Sequence, residues 1–177
     1  MLRTLMALSK VDGRVSVFLE PIALYMTKDL YEAGDGQWSF AYPAPDQAIA
    51  LGEPRIYEPE HTDLLIISYG NAMPMSLRVA KQLETERGIK TRVMDLRWLQ
   101  PLNDAAIAEH GRQCARILVV DEGRKSAGPG EGVITALVEG GCGNKPIARV
   151  CGTDTYTPLA GAANLVLPSD ASIKAAA

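Results

Sequence analysis

Apolar residues follow two distinct rhythms along this chain. Residues 63–69 read Asp63, Leu64, Leu65, Ile66, Ile67, Ser68, Tyr69. That run has no alternation, which predicts a strand covered on both faces. Three more short apolar runs follow, at residues 91–96, 116–121 and 146–151. Between the first two the spacing becomes helical, with Met73, Leu77, Ala80 and Leu83 three and four residues apart, so one face of a helix carries them inward. Gly88 predicts the end of that helix, because glycine accepts the left-handed cap at no steric cost. Asn103 or Asp104 predicts the cap of a second helix reaching about residue 113. A third helix is expected over about residues 131–139, and Ser169 is a good cap for a last one. Strands alternating with helices across short loops predict an α/β fold, a doubly wound, mostly parallel sheet. The right-handed crossover rule leaves few topologies for it.

The pattern before residue 62 is different. Leu2, Leu5, Met6 and Leu8 lie at roughly helical spacing, Asp12 and Gly13 mark a turn, and residues 15–19 form a short apolar run that predicts a strand. Residues 26–61 carry Pro43, Pro45, Pro54 and Pro59 with Gly34, Gly36 and Gly52. Prolines at this density break helices and central strands alike, so an irregular arm is expected. Short strands are expected within it at residues 49–51 and 55–57. The chain therefore divides into 1–25 (helix and strand), 26–61 (proline-rich arm) and 62–177 (α/β domain). One helix and one strand cannot bury their apolar faces alone, so the first unit reads as the end of something larger.

Composition narrows the class. Hydrophobic residues make up 47% of the 177 and charged residues 22%, close to the globular average and far from disordered or fibrous chains. Eighteen Lys and Arg stand against 21 Asp and Glu for a net charge of −3. These charges are interspersed, without the clustered basic face that nucleic-acid binding needs. No apolar run reaches the roughly 18 residues of a membrane span, and residues 1–10 lack the features of a signal peptide. Cys114, Cys142 and Cys151 share neither a redox nor a zinc spacing and fit a reducing cytoplasm. They are expected as small core residues, Cys151 above all.

Ligands of open parallel sheets meet the carboxyl ends of the strands. Asp95 and Arg97 follow the second predicted strand, Asp121 and Glu122 the third, and Asp154 the fourth. These side chains make a ligand or interface rim, or else they cap neighbouring helices and pair with one another, as such loops require. The glycine-rich loop 123–132 could cradle a phosphate through backbone N–H groups, helped by Arg124, Lys125 and Ser126. Against this, Pro129 removes a donor, Glu131 repels an anion, and neither phosphate-loop spacing is present. Gly34, Asp35 and Gly36 have the opening of a thiamine diphosphate motif, but without the strand before and helix after that rigid metal ligands need. A turn is expected there. His61 and His110 have no nucleophile placed beside them and are expected as ordinary surface histidines.

Taken together, several stretches resemble one family. They are Val17, Phe18, Leu19, Glu20 and Pro21 with Leu24 and Tyr25; Ser68, Tyr69 and Gly70; then Asp95, Leu96, Arg97, Trp98, Leu99, Gln100, Pro101 and Leu102. Leu118 to Glu122, Gly128 to Glu131, Arg149 to Gly152, and Leu167 with Pro168 continue the series. In this order they resemble the C-terminal third of the beta subunit, or of a fused alpha–beta chain, of the thiamine-dependent decarboxylating component of 2-oxo acid dehydrogenases. More loosely they resemble the transketolase C-terminal domain. Asn103 departs from the family's usual aspartate, and both residues cap a helix.

The resemblance implies that residues 1–25 are the last helix and strand of a pyrimidine-binding domain. It implies thiamine diphosphate and magnesium for the complete enzyme, held by domains other than these, since the coenzyme supplies the hard chemistry. No catalytic, cofactor or metal residue is therefore expected in this chain, and Glu20 is not the coenzyme's glutamate. Subunit pairing, self-association and docking to a lipoyl acyltransferase core are the expected roles. Asp95, Arg97, Asp121 and Glu122 are possible contact points. The alternative is a free-standing small-molecule or nucleotide-binding α/β module.

Overall fold

A computed structural model describes residues 1–177. Its centre is a five-stranded sheet built from β1 (Arg55–Tyr57), β2 (Leu64–Ser68), β3 (Thr91–Asp95), β4 (Arg116–Arg124) and β5 (Ile147–Gly152). The spatial order is β1-β3-β2-β4-β5. β3, β2, β4 and β5 run parallel, and β1 adds antiparallel to β3 with Arg55 opposite Asp95.

Alternate residues of the inner strands point to opposite faces, and each face has its own core. Leu64, Ile66, Val93, Leu118 and Val120 pack with Met73, Leu77 and Leu83 of α2 (Ala72–Arg87) and Ile173 of α5 (Asp170–Ala176). Leu65, Ile67, Met94, Ile117 and Val119 pack on the other side with Ile107 of α3 (Asp104–Gln113) and with Val133 and Leu137 of α4 (Pro129–Leu137). This is the doubly wound arrangement, and it explains the unbroken apolar runs: the inner strands β2, β3 and β4 are covered on both faces.

The predicted caps form. Gly88 ends α2 at φ 69°. Asn103 accepts a 3.0 Å hydrogen bond from the Ala106 N–H at the start of α3. Ser169 and Ser172 make a reciprocal capping box on α5. Arg78 grips Asp170 through two bonds of 2.7 and 2.9 Å, tying α5 to α2. On the other face α3 and the turn after α4 approach closely. A Cβ on Gly111 would stand 2.6 Å from Leu137 Cδ2 and 2.9 Å from Cys142 Sγ.

The first 54 residues depart from expectation in two places. α1 (Leu2–Lys10) forms, held to the arm by Arg3 on the Pro43 and Gln47 carbonyls and by Thr4 on the Ile49 carbonyl. Residues 15–19, however, are not a strand, because no neighbouring strand offers hydrogen bonds to them. Residues 49–51 also form none, whereas residues 55–57 pair as β1. Short 3-10 turns at Ile22–Leu24 and Ala160–Leu165 complete the chain.

Candidate functional site

At the carboxyl edge of the sheet, β2 and β4 end side by side and deliver Tyr69, Asp121 and Glu122 to one place. Asp121 is fully buried. Its Oδ1 accepts from the Tyr69 hydroxyl at 2.5 Å and from the Gly123 N–H at 2.8 Å, while Oδ2 accepts from the Gly130 N–H at 2.7 Å. Gly130 lies in the first turn of α4, so this carboxylate fills the N-terminus of that helix. Glu122 does the same one helix over, its Oε2 accepting from the Asn71 N–H at 2.7 Å just ahead of α2. Each carboxylate sits at the positive end of a helix dipole, where exposed amide donors favour negative charge.

The local sequence makes room for both groups. A Cβ on Gly128 would lie 2.5 Å from Asp121 Oδ2, and one on Gly130 would lie 2.8 Å from it. A Cβ on Gly70, itself at φ 58°, would lie 2.8 Å from Glu122 Cδ. The glycines of the loop after β4 thus accommodate the protein's own carboxylate, the space a phosphate would otherwise use. Burial first, then the bond to Asp121 and that carboxylate's charge, raise the Tyr69 phenol above its ordinary range, so it stays a donor. Burial also raises the Glu122 carboxyl, against the opposing pull of the Asn71 donors.

Asp95 and Arg97 lie apart from this pair, on the β3 side. Asp95 Oδ1 accepts from the Arg97 N–H at 3.1 Å, and Arg97 stands at φ 56°. Burial raises the Asp95 carboxyl, with the Arg97 N–H and the Arg97 and Arg55 charges pulling the other way. Asp154 accepts from the Ser126 N–H and hydroxyl at 2.7 and 2.6 Å and pins the glycine-rich loop to the end of β5. Of the two readings open for the rim, capping therefore accounts for Asp121 and Glu122. Tyr69 and Gly70 entered the sequence reading only as a stretch carrying the resemblance, and Gly130 only as part of the glycine-rich loop; their fit to these carboxylates was not foreseen. The available sign was a tyrosine and a glycine closing an otherwise aliphatic strand.

Groups able to hold a metal or diphosphate were tested against the same geometry. Asp35 Oδ1 accepts from the Leu30 and Gln37 N–H groups, and Oδ2 from those of Tyr31 and Glu32. Desolvation pushes its carboxyl up, but the four amides outweigh that and hold it well below the usual range. Asp29 is likewise engaged by the Gly34 and Gly36 N–H groups. Both carboxylates build a loop, the expected turn, and their lone pairs face its amides; the residues do not fit a magnesium–diphosphate clamp. Glu58, Glu60 and His61 bring ligand atoms within 4.8 Å of one another, but the two glutamates are exposed.

The histidines are only partly exposed and each is engaged by a polar partner. His61 is half-buried with Nδ1 3.2 Å from the Thr91 carbonyl. His110, half-buried on α3, accepts from the guanidinium of Arg92 at 2.9 Å. Arg92 is a buried β3 residue whose remaining partners are Gln113 and the Pro59 carbonyl. Burial first, then the Arg92 charge, lower the His110 imidazole, with Glu109 opposing. A histidine protonated less readily in the folded state than in the unfolded chain stabilises above its ordinary value of 6.5. That stability is lost as pH falls through 6.5 toward the lower folded value. Urea midpoints from pH 8 to 5 should therefore fall more for the wild type than for His110→Asn, which keeps an acceptor that does not titrate. Parallel profiles would refute the assignment. Cys114 and Cys142 are core residues as expected, whereas Cys151 is only half-buried, since it lies on the edge strand β5 one residue before its end.

Comparison with known proteins places this architecture. Residues 55–173 match the family model for the transketolase C-terminal domain. The chain belongs to that family. It is 33% identical over 133 residues to the pyruvate dehydrogenase E1 component subunit beta of Staphylococcus epidermidis, covering 74% of this chain and 40% of that protein. The Staphylococcus aureus protein of the same description is 33% identical over 129 residues, 72% of this chain and 39% of its own. The chain thus spans about two-fifths of the length of the curated relatives it matches. Among solved structures, a split-gene transketolase described as an inactive beta4 tetramer shares the fold. Its TM-score is 0.64 at 24% identity over 75% of this chain and 42% of that one.

Proposed function

We propose that this chain is the C-terminal assembly portion of a thiamine-diphosphate-dependent 2-oxo acid dehydrogenase, its decarboxylating component, and that it is not catalytic alone. It pairs with the remaining subunit or domains of that enzyme, which hold the coenzyme and magnesium, and offers a docking face to a lipoyl acyltransferase core in the cytoplasm. Similarity to pyruvate dehydrogenase beta subunits supports the assignment. The observation that carries it is the carboxyl edge of the sheet. There Asp121 and Glu122 occupy the two helix N-termini at which an open α/β sheet would receive a phosphorylated ligand. The site is built to be a rigid scaffold.

The remaining hollow at that edge, between β4 and the loop after β5, encloses about 230 Å³ and is lined by Arg124, Thr153, Thr155 and Thr157. Small-molecule sites usually enclose about 300–1,000 Å³. The purified chain, given thiamine diphosphate, magnesium and pyruvate or a branched 2-oxo acid, should release no carbon dioxide. Turnover by the chain alone would overturn the proposal. In a thermal-shift screen with nucleotides and acyl-CoA its melting temperature should stay fixed. A rise of several degrees would instead identify a free-standing binding module.

A further inference from the structure

Glu58, Pro59, Glu60 and His61 lie in the turn that joins β1 to β2. One ligand atom from each of Glu58, Glu60 and His61 falls within 4.8 Å of the other two, and nowhere else in the chain do three such side chains converge. The turn is held at three points. The His61 N–H donates to the Glu58 carbonyl at 3.0 Å, the buried Arg92 guanidinium donates to the Pro59 carbonyl, and the Cys114 thiol donates to the His61 carbonyl at 3.8 Å. The His61 ring is fixed as well, with Nδ1 3.2 Å from the Thr91 carbonyl. A carbonyl only accepts, so Nδ1 carries the proton and Nε2 of the neutral ring keeps its lone pair. An imidazole whose other nitrogen is engaged by a backbone carbonyl is the usual form of a metal-binding histidine.

The two carboxylates complete a ligand set. Neither Glu58 nor Glu60 is in an ion pair. Lys90, whose ammonium feels the Glu58 charge, is paired with Glu84 instead. Asp29, Asp35, Asp121 and Glu122 are each turned onto the chain's own amides; these two glutamates are exposed and uncommitted. Ligands about 2.0–2.2 Å from a tetrahedral ion stand about 3.3–3.5 Å apart, so two mobile glutamates need only rotate inward toward a fixed imidazole. A nitrogen ligand with carboxylate oxygens suits a borderline ion, whereas magnesium and calcium take oxygen ligands. We propose that Glu58, Glu60 and Nε2 of His61 bind one zinc ion at the β1–β2 turn, with water completing its coordination. The Arg92 charge at Pro59 opposes a cation, and the two carboxylates outnumber it. Such a site departs from the expectation that this chain holds no metal ligand, and it does not depend on the dehydrogenase assignment.

Calorimetric titration of zinc chloride into the full chain tests the site, with Cys151→Ser as background because the other two thiols are buried. One ion should bind with micromolar affinity. Glu58→Gln and Glu60→Gln should each weaken it at least about tenfold, the scale on which metal sites respond to lost contacts around the ion. Both side chains are exposed, so circular dichroism should be unchanged. His110→Asn should bind zinc as the background does, and millimolar calcium or magnesium should leave the zinc isotherm in place. The chain has two histidines, so long-range proton–nitrogen correlation spectra identify the ligand atom directly. Zinc should shift Nε2 of His61 and leave His110 where it was. No saturable binding below millimolar zinc, full affinity in the Glu58→Gln, Glu60→Gln double variant, displacement by calcium or magnesium, or a shift confined to His110 would each overturn the inference.

Discussion

Replacing Asp121 by alanine is expected to lower the stability of the fold by about 3–5 kcal/mol, the cost of stranding three donors at about 1–3 kcal/mol each with partial relaxation. The donors are the Tyr69 hydroxyl and the N–H groups of Gly123 and Gly130, all turned toward one buried carboxylate. Urea denaturation measures the loss. Asp121→Asn should fall between wild type and alanine. Whichever way the amide is turned, its NH₂ group meets the N–H of Gly123 or Gly130, while the tyrosine hydroxyl can reverse its role and accept. Tyr69→Phe removes a single bond and should cost about 1 kcal/mol. If Asp121→Ala lost less than about 1 kcal/mol, the carboxylate would not be the hub of this edge, and the scaffold reading of the site would lose its main support.

That hub shows what a sequence can and cannot disclose. The unbroken runs at residues 64–68 and 117–120 forecast strands buried on both faces, because covering one face only would have left an alternation. Gly88, Asn103 and Ser169 forecast their caps because each acts within three or four residues of itself. The cap on α2 and the tyrosine bond at the α4 cap are different. Glu122 reaches Asn71 across 51 residues of chain, and Asp121, which caps α4 only nine residues away at Gly130, takes the Tyr69 hydroxyl across 52. Those pairings exist only once β2 and β4 lie side by side. The position of the carboxylates after a strand was legible; the direction in which each turned was not.

The same distinction explains the misplaced strand. Residues 15–19 have the period and composition of a strand, but a strand also requires a partner for its backbone, and within this chain none arrives. Residues 55–57 have far less pattern, only Arg55, Ile56 and Tyr57, and they pair because β3 presents an open edge to them. Propensity specifies a conformation; the ladder supplies most of what holds it. His110 follows the same logic. Its burial comes from Arg92 on the strand beneath α3, and neither residue's neighbours in sequence indicate the other.

Gly70→Ala should be the second large effect, about 2–4 kcal/mol, from two sources that a cycle can separate. The residue sits at φ 58°, where a side chain costs about 1–2 kcal/mol. The new Cβ would also lie 2.8 Å from the Glu122 carboxyl carbon, and overpacking of that kind costs about 1–3 kcal/mol. Glu122 cannot retreat freely, since its Oε2 is held by the Asn71 N–H ahead of α2. Glu122→Ala alone should cost about 1 kcal/mol, as the loss of a helix cap does. In the double variant the clash disappears, so the combined loss should fall short of the sum of the singles by at least about 1 kcal/mol. Gly70→Asn separates the terms from the other side, because asparagine tolerates the left-handed conformation but still carries the offending Cβ. Strict additivity in the Ala cycle, with Gly70→Asn close to wild type, would mean that backbone conformation alone requires the glycine. The fit between Gly70 and the resident carboxylate would then have no energetic weight.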